Sequence, residues 1–344
     1  MSYATSKIRN ICLLGHGSNG KTSLVESMLY CAGVTDRLGR VADGNTVSDY
    51  DPEETRRKFS IGTSSMHLDH NKVRINILDA PGYFDFAGEV YEALRVADAG
   101  IIVVAAKDGL NVGDEKAWKY LSDRNLPRAF YISKMDEEHA DFDGTLSALR
   151  EKFGPSVCPL IIPIFQGGKL AGIVDVVAKK AYQADGRKHK EIPVPADMVD
   201  KVEEFYNMLA ECVAETSEEF MEKYFGGEEF TADEVYSALS AGVAECGIFP
   251  VLCGSAFTGL GTPTLLDAIA KFFPAPMEEG KPVDENGPSA AIIYKTVSDQ
   301  YGKFSFFKVV SGKVTPDMTL LNPRTGTTEK LGHIYKMQGK KNIE

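Results

Sequence analysis

The chain has 344 residues, of which 43% are hydrophobic and 25% charged, and a formal net charge of −11. That length leaves room for two or three domains with sizeable cores. The acid excess excludes a sequence-independent coat on nucleic acid, which needs clustered cations to displace counterions, although a local basic patch on an RNA machine stays open.

Six cysteines (12, 31, 158, 212, 246 and 253) form no CxxC pair and no zinc spacing. They read as reduced thiols, with Cys12 and Cys253 inside apolar runs. The N-terminal MSYATSKIRN lacks the apolar stretch of a signal peptide, and the longest apolar run, IIVVAA at 101–106, is too short to span a bilayer. A cytoplasmic chain with no membrane attachment is expected.

In chain order, IRNICLL (8–14) reads as a buried strand, followed by a glycine-rich loop and then SLVESMLY at helical spacing. VRINIL (73–78), IIVVAA and RAFYIS (128–133) are further buried-strand runs, and EVYEALRVADAG and GDEKAWKYLSDRN between them carry helical periodicity. Strands alternating with helices predict an α/β domain with a mostly parallel sheet and helices on both faces.

After residue 158 the rhythm changes. Two strand-like runs lie around Gly167-Gly168 and IVDVV, and Met198, Val202, Phe205, Leu209 and Val213 fall on one face of a long acidic helix near 198–222. Residues 231–246 read as another helix, before PVLCGSA (250–256) and a helix around TLLDAIAKFF restore the first pattern. The expected division is a P-loop domain over 1–158 and 247–276 with an inserted α+β subdomain at 159–246. The stretch 274–288 is rich in Pro, Gly and acid and carries a linker, placed at 277–288. From 289 to 344, AAIIYKTVS, KFSFFKVVSG, MTLLNP and LGHIYKM read as short strands of a β-barrel domain. Closing a barrel takes roughly six to eight strands, so this one is expected to be incomplete.

Gly15-His16-Gly17-Ser18-Asn19-Gly20-Lys21-Thr22, with Ser23 behind it, fits GxxxxGK[ST] between strand and helix. Glycines let successive backbone N–H groups curl into an anion nest at the positive end of a helix. Lys21 is expected to reach the outer phosphates and Thr22 to ligate Mg²⁺. A chance lysine in a glycine turn is the bland alternative, and the strand–loop–helix context argues against it.

Asp79 leaves a later strand of the same domain as the carboxylate expected on the magnesium side. Ala80, Pro81, Gly82 and Tyr83 follow it, and the Gly82 N–H is placed to sense the terminal phosphate. Standing alone, Asp-x-Pro-Gly is only a turn. Ser133-Lys134-Met135-Asp136 ends another strand, where a carboxylate can accept from the ring N–H and the exocyclic amine of guanine, a donor pair adenine lacks. Gly254-Ser255-Ala256 ends a fourth, offering a backbone N–H to the guanine carbonyl. GTP or GDP with Mg²⁺ is therefore the expected ligand. A P-loop kinase or ATPase would need adenine recognition, against Asp136.

With these motifs assembled, the chain resembles translational GTPases of the elongation factor G type over essentially its whole length. GHGSNGKT is similar to the family's phosphate loop, DAPGYFDF to its DTPGHVDF, SKMD to its NKMD, and VLCGSAF to its guanine loop. EEFMEKYFGGEE (218–229) and FSFFKVVSGKVTPDMTLLN (304–322) resemble its inserted subdomain and second-domain barrel. The family's remaining three domains have no counterpart here, so the sequence reads as an N-terminal fragment of a divergent paralogue.

The resemblance implies a monomeric GTPase acting on the ribosome, with rRNA and the stalk protein as partners. The acidic helix near 198–222 resembles the stalk-binding surface, although a merely solvated face is the preferred reading of its carboxylates. Lys21, Gly82 and Tyr83 take the catalytic positions, and Thr22, Ser60 and Asp79 the metal positions. Ser60 of RKFSI keeps the hydroxyl of the family's switch threonine, Ser133 replaces the asparagine of NKMD, and Ser18 replaces a phosphate-loop aspartate.

Tyr83 stands where the family has the histidine that orients the attacking water. A phenol's reference pKa is about 10, so it supplies no imidazolium at neutral pH. GTP binding with weakened hydrolysis follows as the expectation. The alternatives are a GTP-holding ribosome factor with little turnover and a ribosome-protection factor that removes an antibiotic.

Overall fold

The computed structural model describes residues 3–278, 281–299 and 302–343. Seven strands form its central sheet: β1 (Ile8–Leu14), β2 (Ser64–His70), β3 (Val73–Asp79), β4 (Ala99–Ala105), β5 (Arg128–Ser133), β6 (Val157–Pro159) and β11 (Phe249–Cys253). They lie in the order β2-β3-β1-β4-β5-β11-β6. All pairs are parallel except β2 with β3. Helices α1 (Lys21–Cys31), α2 (Pro52–Arg57), α3 (Ala87–Leu94), α4 (Val112–Ser122), α5 (Phe142–Phe153) and α9 (Thr262–Phe272) accompany it. β4 and β5 are buried at every position, because helices cover both faces; that is why they read as unbroken apolar runs.

β1 lies between β3 and β4, so successive crossovers leave it in opposite directions. In open α/β sheets the crevice at such a reversal, outside the carboxyl ends of the strands, is where ligands bind. The loops after β1, β3, β5 and β11 all open on that rim.

Between β6 and β11 lies a second, antiparallel sheet of β7 (Ile161–Gln166), β8 (Lys169–Asp175), β9 (Lys180–Asp185) and β10 (Lys188–Ile192), followed by α6 (Val199–Ala214), α7 (Glu218–Phe225) and α8 (Ala232–Ala244). Its strand order is β10-β9-β8-β7. Val202, Phe205, Leu209 and Val213 form the buried face of α6. The long acidic helix expected near 198–222 is in fact two helices. Met198 belongs to a preceding 3₁₀ turn, α6 stops at Ala214, and the Ser217 hydroxyl caps α7 by accepting from Phe220 N. One hydrophobic cluster runs from Ile11 through Phe130 to Leu209 and Leu239.

The C-terminal part is β-rich. The short ribbon β12 (Met277–Glu278) and β13 (Lys281–Pro282) precedes β14 (Ala290–Asp299) paired with β15 (Gly302–Ser311), β16 (Thr319–Asn322) with β17 (Thr327–Lys330), and β18 (Lys336–Gln338) with β19 (Lys341–Ile343). LGHIYKM, expected as one strand, is extended ladder only from Lys336 onward. Leu331 N turns back to Met318 O, and the glycine at 332 interrupts the run.

Candidate functional site

The phosphate loop starts where β1 ends. Gly15 has φ 130°, and a side chain there would strike Val103 O, so the tight exit from the strand requires glycine. Lys21 opens α1 and is buried, its Nζ donating to Gly15 O at 3.0 Å and His16 O at 2.8 Å. Burial pushes the Lys21 pKa down, while Asp79, Asp114 and Asp49 push it back up.

Asp114 fixes the loop from outside. Fully buried at the start of α4, its Oδ1 accepts from His16 N at 2.8 Å and Asn19 Nδ2 at 2.9 Å, and its Oδ2 from Asn111 N at 2.9 Å. Asn19 Nδ2 also donates to Val103 O at 2.8 Å. Ser18, exposed and left-handed at φ 68°, and Ser23, half-buried, complete the loop.

On the strand side, Thr22 Oγ1 donates to Asp79 Oδ2 at 2.7 Å and Ser48 Oγ to the same oxygen at 2.6 Å. Ser60 Oγ lies 3.1 Å from Thr22 Oγ1 and donates to Asp49 Oδ1 at 2.7 Å. Thus Thr22, Ser60 and Asp79 come together, and they bring two residues that sequence reasoning missed, Ser48 and Asp49. Burial raises the Asp79 pKa against the pull of Ser48 and Thr22. Burial first, then the neighbouring Asp79, holds Asp49 up at about 7.

Asp79 Oδ1 and Asp49 Oδ2 are buried without hydrogen-bond partners among the described residues. Two orphaned carboxylate oxygens beside two hydroxyls are a hard-oxygen donor set that fits Mg²⁺. Among the described residues no cluster of three or more His, Cys, Asp or Glu could hold a metal, so the hydroxyls are part of that fit.

The loop after β5 touches the phosphate loop directly, and the loop after β11 meets it through that loop. Ser133 Oγ donates to Asn19 O at 2.6 Å and Val104 O at 3.2 Å. The Lys134 Cε stands 3.9 Å from where a Gly20 side chain would begin, so its stem lies along the loop. Met135 is buried and its N–H donates to Gly254 O at 3.2 Å, joining the loops after β5 and β11. Ser255, also buried, donates its N–H to Leu260 O at 2.9 Å. Ala256 is half-buried and Asp136 exposed. Ala80 and Pro81 are buried, while Gly82 and Tyr83 rest on the phosphate loop: an added Gly82 side chain would strike Lys21 Nζ and lie 2.7 Å from Gly17 N.

Asp49 sits in VSDYD and Asp114 in NVGDE. Both look like ordinary loop or helix-capping acids; only three-dimensional proximity gives them a role. Phe59, against the Tyr83 ring at 4.8 Å between centroids, was equally silent.

A phosphate nest with a Lys-Thr start to the helix, an Asp at the end of the adjacent strand and two further loops at the same rim define a P-loop nucleotide-binding protein with the GTPase fold. The sequence model of the Elongation factor Tu GTP binding domain matches residues 6–275, and the chain belongs to that family. The crystal structure of ttk003000868 from Thermus thermophilus is similar over 98% of this chain, at 34% sequence identity and a TM-score of 0.90. This chain spans 50% of that protein's length.

Proposed function

We propose that this chain is a guanine-nucleotide switch of the elongation factor G type that acts on the ribosome as a cytoplasmic monomer and turns over GTP slowly. The observation that carries the reading is the bonded set Thr22–Asp79–Ser60 beside Lys21, tied to the guanine-side loop through Ser133 and Asn19. Residues 15–23 hold the phosphates, Asp136 and the 254–256 loop read guanine, and Thr22, Ser60, Asp79 and Asp49 hold Mg²⁺. The ion, when bound, neutralises charge developing on the transferred phosphoryl group. Lys21 orients the outer phosphates, and the Gly82 N–H is the group that distinguishes tri- from diphosphate. The ribosomal task, with rRNA and the stalk protein as contacts, belongs to this proposal.

Titration of the full chain with GTP, GDP and ATP tests it, followed by single-turnover hydrolysis with and without ribosomes. Guanosine nucleotides should bind at least about a hundredfold tighter than ATP, and ribosomes should accelerate turnover. Equal affinity for ATP would end the reading. The Tyr83 ring, packed on Gly17 and Phe59, favours a second reading in which GTP is held with little turnover. It predicts no acceleration by ribosomes, and a gain in turnover for Tyr83→His.

A further inference from the structure

Position 17 lies inside the phosphate nest, and its lack of a side chain is used by a residue 66 positions away. A Cβ built on Gly17 would lie 2.9 Å from Tyr83 Cζ and 3.0 Å from Cε1, closer than van der Waals contact permits. The ring therefore occupies the space that any other residue at 17 would fill. Gly17 has no left-handed φ, so backbone geometry does not demand glycine there; what an added side chain would displace is the tip of the aromatic ring. On its other side the ring meets Phe59 edge-on, with centroids 4.8 Å apart and planes at 61°, a favourable aromatic geometry. Phe59 immediately precedes Ser60, which bonds Thr22.

We propose that Gly17 and Tyr83 are a matched pair forming an aromatic latch: the ring, seated on Gly17 and braced by Phe59, holds the Asp79–Phe86 segment closed on the phosphate loop and thereby slows release of a nucleoside triphosphate. This rests on the nucleotide reading above. The latch acts through Gly82, whose backbone the seated ring keeps against Lys21 and Gly17 N. On the nucleotide reading, in which the Gly82 N–H meets the terminal phosphate, GTP release depends on the latch more than GDP release does. Tyr83 is thus a positioning residue and Gly17 determines which side chain position 83 can seat. The contacts are made by ring carbons, so the phenol oxygen is dispensable.

A double-mutant cycle on the full chain tests the latch, using dissociation of N-methylanthraniloyl-GTP and N-methylanthraniloyl-GDP and, without nucleotide, hydrogen exchange of residues 82–86. Gly17→Ala places its methyl against the movable end of a side chain, so the fold is retained. It should speed GTP release about tenfold, GDP release by a clearly smaller factor, and accelerate exchange at 82–86. In a Tyr83→Ala background the same change should add less than about twofold to either readout, and Tyr83→Phe should match the wild type. Equal effects of Gly17→Ala in both backgrounds, or none in the wild type, would overturn the latch. If the wild type binds neither nucleotide, the proposed function fails on its own, and the exchange arm alone decides for or against the latch.

Discussion

Asp114 shows what one buried carboxylate does for a loop made largely of backbone. Its two oxygens serve His16 N, Asn19 Nδ2 and Asn111 N, so the nest is pinned to the helix that follows β4. Asp114→Ala would strand those donors in a dry site, at a cost of about 3 kcal/mol, with loss of GDP affinity. Asp114→Asn keeps one carbonyl oxygen for His16 and Asn19 and sacrifices only the bond from Asn111. Urea denaturation combined with GDP titration should therefore rank wild type, Asn and Ala in falling order of both stability and affinity. An Ala variant that binds GDP like the wild type would show the loop shapes itself. The GKT run was legible because its residue types and spacing encode the nest. Asp114 was not, because an acid in the first turn of a helix is ordinary helix chemistry.

Elements, like residues, are held by charges the sequence hides. α1 carries Glu26, 1% exposed, whose Oε1 accepts from Val47 N at 2.7 Å and Ser48 N at 3.3 Å. This fastens the chain leading to Ser48 and Asp49 against the helix that starts at Lys21. Burial lifts the Glu26 pKa from 4.5 to about 7, against the pull of the two backbone bonds. A carboxyl raised in the folded state binds its proton more tightly there than when unfolded. Its stabilisation is complete below about pH 4.5 and is lost as pH rises through about 7. Glu26→Gln keeps the acceptor and removes the titration. The unfolding free energy of the wild type, from urea denaturation, should fall from pH 5 to pH 8, and that of the variant should fall less, the difference being on the order of 2 kcal/mol. Asp49, also raised by burial, gives the variant a residual slope of the same sign. Parallel pH curves for the two proteins would show that Glu26 titrates normally. At this scale the strands buried on both faces were plain in the sequence, whereas β2 was missed. Its SSMHLDH buries Ser64, Met66 and Leu68 on one face, an alternation too polar to stand out from a loop.

The whole molecule is joined across long sequence distances by side chains. Lys295 Nζ of β14 donates to Glu89 Oε2 at 2.6 Å and to Thr63 O at 3.1 Å, and Thr63 N donates to the same Glu89 oxygen at 2.6 Å. Glu89 lies in the first turn of α3, just past the Asp79–Phe86 segment, and Thr63 lies just past Ser60. A second pair, Lys308 with Asp98 at 2.6 Å, ties β15 to the start of β4. No local pattern announces a partner 206 residues away, and the register shift between Ile293 and Lys295 defeats any strict alternation in that strand. The Lys295 and Glu89 side chains are 14% and 28% exposed, so removing one charge leaves the other poorly solvated. Lys295→Met should cost about 2 kcal/mol of local stability. Native-state hydrogen exchange should then quicken at residues 61–64 and 290–298 while β1 and β4 stay protected, because the clamp joins the C-terminal strands to the segments that follow Ser60 and Phe86 and leaves the central sheet untouched. Glu89→Gln should reproduce most of that pattern, and adding Lys295→Met to it should change little, since both remove the same ion pair. If exchange quickened only in β14 and its partner while residues 61–64 kept their protection, Lys295 would anchor its own ribbon and carry nothing to the nucleotide site.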